Sequence, residues 1–209
     1  MKKTILFVSL IVAILCVVCN AKCFQKRDIP PGDKTFSDYT KYHEEALKYC
    51  KSNKLNSSFY FLIDLSIHSG IKRFYLCDFS KQKITEKYMV SHGCGSFFWS
   101  LDLSKTNAKI SNEKDSHCSS TGKYIVGKRG ISQWGIKINY LLHGMDSSNS
   151  NALKRNIVLH SWDAISEEEM FPNGTPEGWG CPAVSNSSLK RISAIIDSSK
   201  KPVLLWVIK

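Results

Sequence analysis

Several familiar signatures are missing from this 209-residue chain, and each absence closes a class of function. No phosphate-binding loop, dinucleotide fingerprint or Gly-x-Ser-x-Gly elbow occurs, so nothing points to nucleotide chemistry or to a serine hydrolase. Beyond Ala21 there is no Cys-x-x-Cys pair, and His-Glu-x-x-His is absent throughout. His92, Cys94, His117, Cys118, His160 and Cys181 are zinc-ligand residue types, but their spacings match no zinc site, so no metal is expected. Acidic residues are few, 18 against 29 Lys and Arg, for a net charge of +11. The lysines are dispersed, and no basic helix carries interleaved aromatics. Nucleic acid is therefore not the expected partner, and a polyanionic surface suits the excess better. Internal repeats and low-complexity tracts are lacking, as is any apolar run of membrane-spanning length after Ala21.

The chain does have a leader. Met1-Lys2-Lys3 is basic, Thr4 to Val18 is apolar, and Cys19-Asn20-Ala21 offers a small residue at a cut. This pattern predicts a signal peptide over 1–21. The apolar run is short for a span of ~20 residues. Lipid attachment at Cys19 is the alternative, disfavoured by the bulky Val17 and Val18; it would tie the N-terminus to a membrane. The mature chain is thus expected in the periplasm or cell envelope, or secreted. It keeps Cys23, Cys50, Cys77, Cys94, Cys118 and Cys181 where disulfides are permitted. Spacing gives no pairing, and Cys94 with Cys118 is the favoured candidate.

Residues 22–57 read as a linker, marked by Pro30-Pro31-Gly32-Asp33, and then a helix with Tyr39, His43, Ala46, Leu47 and Cys50 on one stripe. Phe61, Ile63, Leu65 and Ile67 alternate as in a half-buried strand, and Arg73 to Phe79 returns as its hairpin partner. Further strands are expected at 87–90, 123–127, 136–141 and 155–160. Ser185 or Asn186 caps a helix with Leu189, Ile192, Ile195 and Ile196 on one stripe. Val203 to Ile208 is wholly apolar and reads as a central strand. Many short strands with few helices predict a mostly β fold, sandwich or barrel-like, with a short N-terminal helix and one later helix.

The chemistry converges on His160, which ends a β-like run, and on Gly178-Trp179-Gly180-Cys181-Pro182-Ala183-Val184. A cysteine nucleophile needs a base, because a free thiol titrates near ~8.5. It also needs exposed N–H groups for the oxyanion of a tetrahedral intermediate. His160 fits the first role; the N–H groups of Gly180, Cys181 and Trp179 fit the second. If an imidazolium activates the thiol, Cys181 is expected to alkylate at pH 7 faster than the other cysteines. Arg155 can fork onto a substrate carboxylate.

Taken together, Trp179-Gly180-Cys181-Pro182-Ala183-Val184, the strand ending at His160, Val90-Ser91-His92-Gly93, Ser119-Ser120-Thr121-Gly122-Lys123-Tyr124 and Asn149-Ser150-Asn151-Ala152 resemble the YkuD-type murein L,D-transpeptidase catalytic domain, in its order. The likeness spans about 58–209. It implies a β-rich catalytic domain there, with Cys181 as nucleophile and His160 as base, its ring steadied by a backbone carbonyl. No cofactor is implied. His92, Tyr124, Arg155 and Gly178 become substrate-binding candidates, and the implied partners are peptidoglycan stem peptides. Two departures stand out: Gly178 replaces the usual serine, and Glu177 an arginine. They keep a non-catalytic peptidoglycan-binding protein open as an alternative, beside an L,D-carboxypeptidase that uses water as acceptor.

Overall fold

The computed structural model describes residues 32–97 and 104–209. The expected signal peptide, Cys19, Cys23 and the start of the linker lie outside them. Residues 31–209 form one compact unit.

A 3₁₀ turn, Phe36–Tyr39, leads into α1, Thr40–Ser52. Eight strands follow: β1 (Phe59–Asp64), β2 (Phe74–Asp78), β3 (Lys83–Tyr88), β4 (Gly122–Ile131), β5 (Ile138–Gly144), β6 (Val158–Ser161), β7 (Ala183–Val184) and β8 (Val203–Ile208). The second helix, α2, spans Asn186–Ser198, and Ser185 caps it by accepting from the Ser188 N–H at 3.2 Å. The strands make one sheet in the order β3-β2-β1-β8-β4-β5-β6-β7. Its edges approach each other. Just past β3, Ser91 N donates to Ala183 O of β7 at 2.9 Å, and Gly93 bridges Gly178. The sheet is therefore nearly closed, which gives the expected mostly β, barrel-like fold with two helices.

Strand β8 is buried along its whole length between β1 and β4, as its unbroken apolar run predicts. Strand β1 departs from the half-buried expectation, since Tyr60 to Asp64 are all buried. Phe61 and Ile63 face the interior with Val203, Leu205, Val207, Leu189 and Ile192. Tyr60 and Leu62 face the other way, where Tyr39, Ala46 and Cys50 cover them. The N-terminal helix thus packs directly on the sheet. Buried His43 locks it there: Nε2–H donates to Phe36 O at 2.8 Å, and Nδ1 accepts from Tyr60 OH at 2.7 Å.

Candidate active site

The site is assembled at the sheet edge where β6 meets β7. The pair is parallel, with His160 opposite Ala183 and Ser161 opposite Val184. His160 N donates to Pro182 O at 3.3 Å, and Trp162 N to Val184 O at 2.9 Å. This ladder draws the preceding residue, Cys181, alongside the start of β6. There Val158 N donates to the Cys181 thiol at 3.4 Å, and the thiol reaches Asn156 O at 3.7 Å. Cys181 and His160, far apart in sequence, therefore sit on neighbouring strand ends.

The His160 ring is held in one tautomer. Its Nδ1 lies 3.0 Å from Ser161 O, and a carbonyl only accepts, so Nδ1 carries the hydrogen and Nε2 keeps its lone pair. Burial holds this imidazole below its usual value, with the Ser161 carbonyl opposing in part. Burial also pushes the Cys181 thiol up, against the Val158 N–H and the Arg155 charge, which both lower it. Both shifts disfavour an ion pair. Both directions favour the neutral forms, thiol and imidazole. His160 Nε2 therefore keeps a lone pair that can accept a proton.

Gly180 fixes the backbone just before Cys181. Its φ is +102°, and a Cβ there would come within 2.4 Å of Cys118 O and 3.0 Å of Arg155 Nη2. Among the described residues, the N–H groups of Gly180 and Cys181 have no hydrogen-bond partner, so both can donate to an oxyanion. Trp179 is 53% exposed, its ring 5.0 Å from that of His117. Gly178 is tied at both ends: its N–H donates to His92 O at 2.9 Å, and its carbonyl accepts from Cys94 N at 2.8 Å. A Cβ on Gly178 would meet only Ser91 Oγ, at 4.0 Å.

Three substrate-binding candidates are placed differently from expectation. His92 is fully buried. Arg73 Nη2 donates to its Nδ1 at 2.7 Å, so its Nε2–H faces Ser104 Oγ, also at 2.7 Å. Ser104 in turn donates to Glu177 Oε1 from its hydroxyl at 2.7 Å and from its N–H at 2.6 Å. His92 thus belongs to a buried Arg73–His92–Ser104–Glu177 chain behind the loop that carries Cys181, and its surface is closed to substrate. Tyr124 is a core residue, with its hydroxyl on Ser120 Oγ at 2.7 Å and Ser120 O at 2.8 Å. Arg155 is half-buried, but its guanidinium is committed to backbone: Nη1 donates to Ser111 O at 3.0 Å and Nη2 to Cys118 O at 2.5 Å. It fastens the 111–120 loop behind Gly180. Asp163, the nearest carboxylate in sequence, accepts instead from Asn186 Nδ2 at 2.7 Å.

Sequence reasoning missed Arg73, Ser104 and Glu177 as supports of the loop. An arginine opening an otherwise apolar strand was the available signal, because a buried guanidinium must find partners. Desolvation pulls Arg73 down to about 10, with Asp64 and Glu177 opposing. Cys50, Cys77, Cys94, Cys118 and Cys181 are all free thiols, so the favoured Cys94–Cys118 bridge is not formed. Among the described residues, no three His, Cys, Asp or Glu side chains gather to hold a metal.

Comparison with known proteins gives the family described as the L,D-transpeptidase catalytic domain, matched over residues 33–206. A search of curated proteins finds no match. Similar solved structures include Bd1075 from Bdellovibrio bacteriovorus (16% identity, 74% of this chain and 49% of that one, TM-score 0.43). Another is an L,D-transpeptidase from Xylanimonas cellulosilytica (10% identity, 77% and 68%, TM-score 0.39). A third is the helical cell shape determining protein Pgp2 from Campylobacter jejuni (14% identity, 79% and 54%, TM-score 0.37). The chain spans about half the length of Bd1075 and of Pgp2.

Proposed function

Because this chain belongs to the L,D-transpeptidase catalytic-domain family, we propose that it is an exported cysteine acyltransferase acting on peptidoglycan stem peptides. The observation that carries the reading is the His160 tautomer, fixed by Ser161 O with Nε2 left basic, on the strand next to the one that Cys181 leads into, where the N–H groups of Cys181 and Gly180 are free to donate.

His160 Nε2 takes the thiol proton as Cys181 Sγ attacks the carbonyl carbon of the stem's third residue. The N–H groups of Gly180 and Cys181 stabilise the resulting oxyanion. Collapse breaks the peptide bond to the terminal D-Ala, whose amine leaves with the proton from His160. A thioester on Cys181 remains. An amine of a neighbouring stem, deprotonated by His160, attacks that thioester, forms the cross-link and restores the thiol. Water in place of the amine makes the same site an L,D-carboxypeptidase. The N-terminal leader supports export, with residues 1–21 as signal peptide and 58–209 carrying the chemistry. Gly178 leaves the Cys181–His160 geometry untouched, since a serine there would add only a side chain in open space.

Purified protein incubated with disaccharide-tetrapeptide is expected to release D-Ala and yield cross-linked or shortened stems, read by mass spectrometry. Unchanged tetrapeptide with Cys181 reduced would leave the binding-protein alternative standing.

A further inference from the structure

The hairpin between β4 and β5 reaches the active site, and its tip is tied down by hydrogen bonds. Ser132 N donates to Lys137 O at 3.1 Å, Lys137 N to Trp134 O at 3.0 Å, and Trp134 N to Ser132 Oγ at 3.0 Å. The tip is seated on the residue after the catalytic histidine: Ile136 N donates to Ser161 Oγ at 3.0 Å. Gly135, with φ of +51°, allows this contact, because a Cβ there would lie 2.1 Å from Ser161 Oγ. Ser161 is also the residue whose carbonyl orients His160.

On this fixed tip Trp134 is 54% exposed, with its ring 6.3 Å from that of Trp162 at 66°. Trp162 prolongs the β6 ladder, and the half-buried Val158, His160 and Trp162 alternate with the buried Leu159 and Ser161. They therefore share one face. The two indoles continue the face that carries His160.

Resting on the acyltransferase reading, we infer that Trp134 and Trp162 form a subsite for a sugar ring of the glycan to which the stem peptide is attached. A pyranose presents a face of C–H groups to an indole, and its hydroxyls point outward to the rim. Here the rim is polar, formed by exposed Gln133, Lys137 and Asp163. An aromatic floor with a few polar groups around it is the general make-up of a small-molecule site.

The test is calorimetric binding to full-length protein carrying Cys181→Ser, which prevents turnover. Two ligands are compared, disaccharide-tetrapeptide and the same tetrapeptide without sugar. The sugar-bearing ligand should bind about tenfold tighter, equivalent to about 1.4 kcal/mol. Adding Trp134→Ala should bring its Kd to that of the free peptide, whose own Kd stays unchanged; Trp134→Phe should retain part of the preference. Equal affinity for the two ligands in the parent protein overturns the inference. So does Trp134→Ala weakening both ligands alike, which would assign the shelf to the peptide. The wild-type protein decides the catalytic reading separately: sugar preference without any product would sink that reading and leave the subsite.

Discussion

At the scale of single residues, the site depends on a few atoms with no slack. Gly180→Ala places a Cβ against Cys118 O on a backbone at φ +102°, so two penalties add. It should lower stability by roughly 2–4 kcal/mol in urea unfolding and abolish turnover. Gly178→Ser is the contrasting case, and its unfolding midpoint should be unchanged, within about 0.5 kcal/mol. Arg155 does two things at once. Arg155→Met removes charge-assisted bonds to Ser111 and Cys118 carbonyls and removes a charge that lowers the Cys181 thiol. Its thiol should titrate higher, read from alkylation rate against pH, while Arg155→Lys should keep the charge effect and lose the loop's hold. Identical thiol titration in both variants would contradict this. The pH profile follows from the signs of the shifts. A general base must be neutral, and burial lowers His160, so the acid limb of kcat/KM should fall below the ordinary imidazole value of about 6.5.

At the scale of elements, legibility tracked how local the cause was. Strand β8 was readable because Val203 to Ile208 is apolar on both faces, and α2 because Ser185 and the Leu189/Ile192 stripe are local signals. Strand β1 was misjudged because the cover on its second face comes from α1, through Tyr39, Ala46 and Cys50. That cover has a pH signature. Burial pulls His43 down to about 4, against about 6.5 when unfolded. Between these values the unfolded chain binds the extra proton, so stability is intact above 6.5 and is lost as pH falls toward 4, by about 3 kcal/mol in all. Urea unfolding at several pH values should show this slope, and His43→Gln should flatten it. An unaltered slope would place the acid sensitivity elsewhere.

For the whole molecule, near-closure of the sheet is what creates the site. The segment after β3 bonds β7 and the loop before Cys181, while β6 carries His160. Cys181 and His160 were legible as candidates because glycine, cysteine and a strand-end histidine form a local pattern. The directions in which their titrations move were not, since they depend on burial that only the assembled fold provides. Nor was the Arg73–His92–Ser104–Glu177 chain, which joins three separate segments and takes His92 away from the surface.

The central claim, that Cys181 attacks with neutral His160 as its base, is tested most directly by intact-protein mass after exposure to a carbapenem. Such a drug presents an electrophilic carbonyl without requiring an acceptor. The wild type should gain one adduct, mapped to Cys181, and Cys181→Ser none. His160→Ala should slow adduct formation by roughly 10²–10⁴-fold, the usual contribution of a general base. An adduct on another cysteine, or an undiminished rate in His160→Ala, would contradict the account.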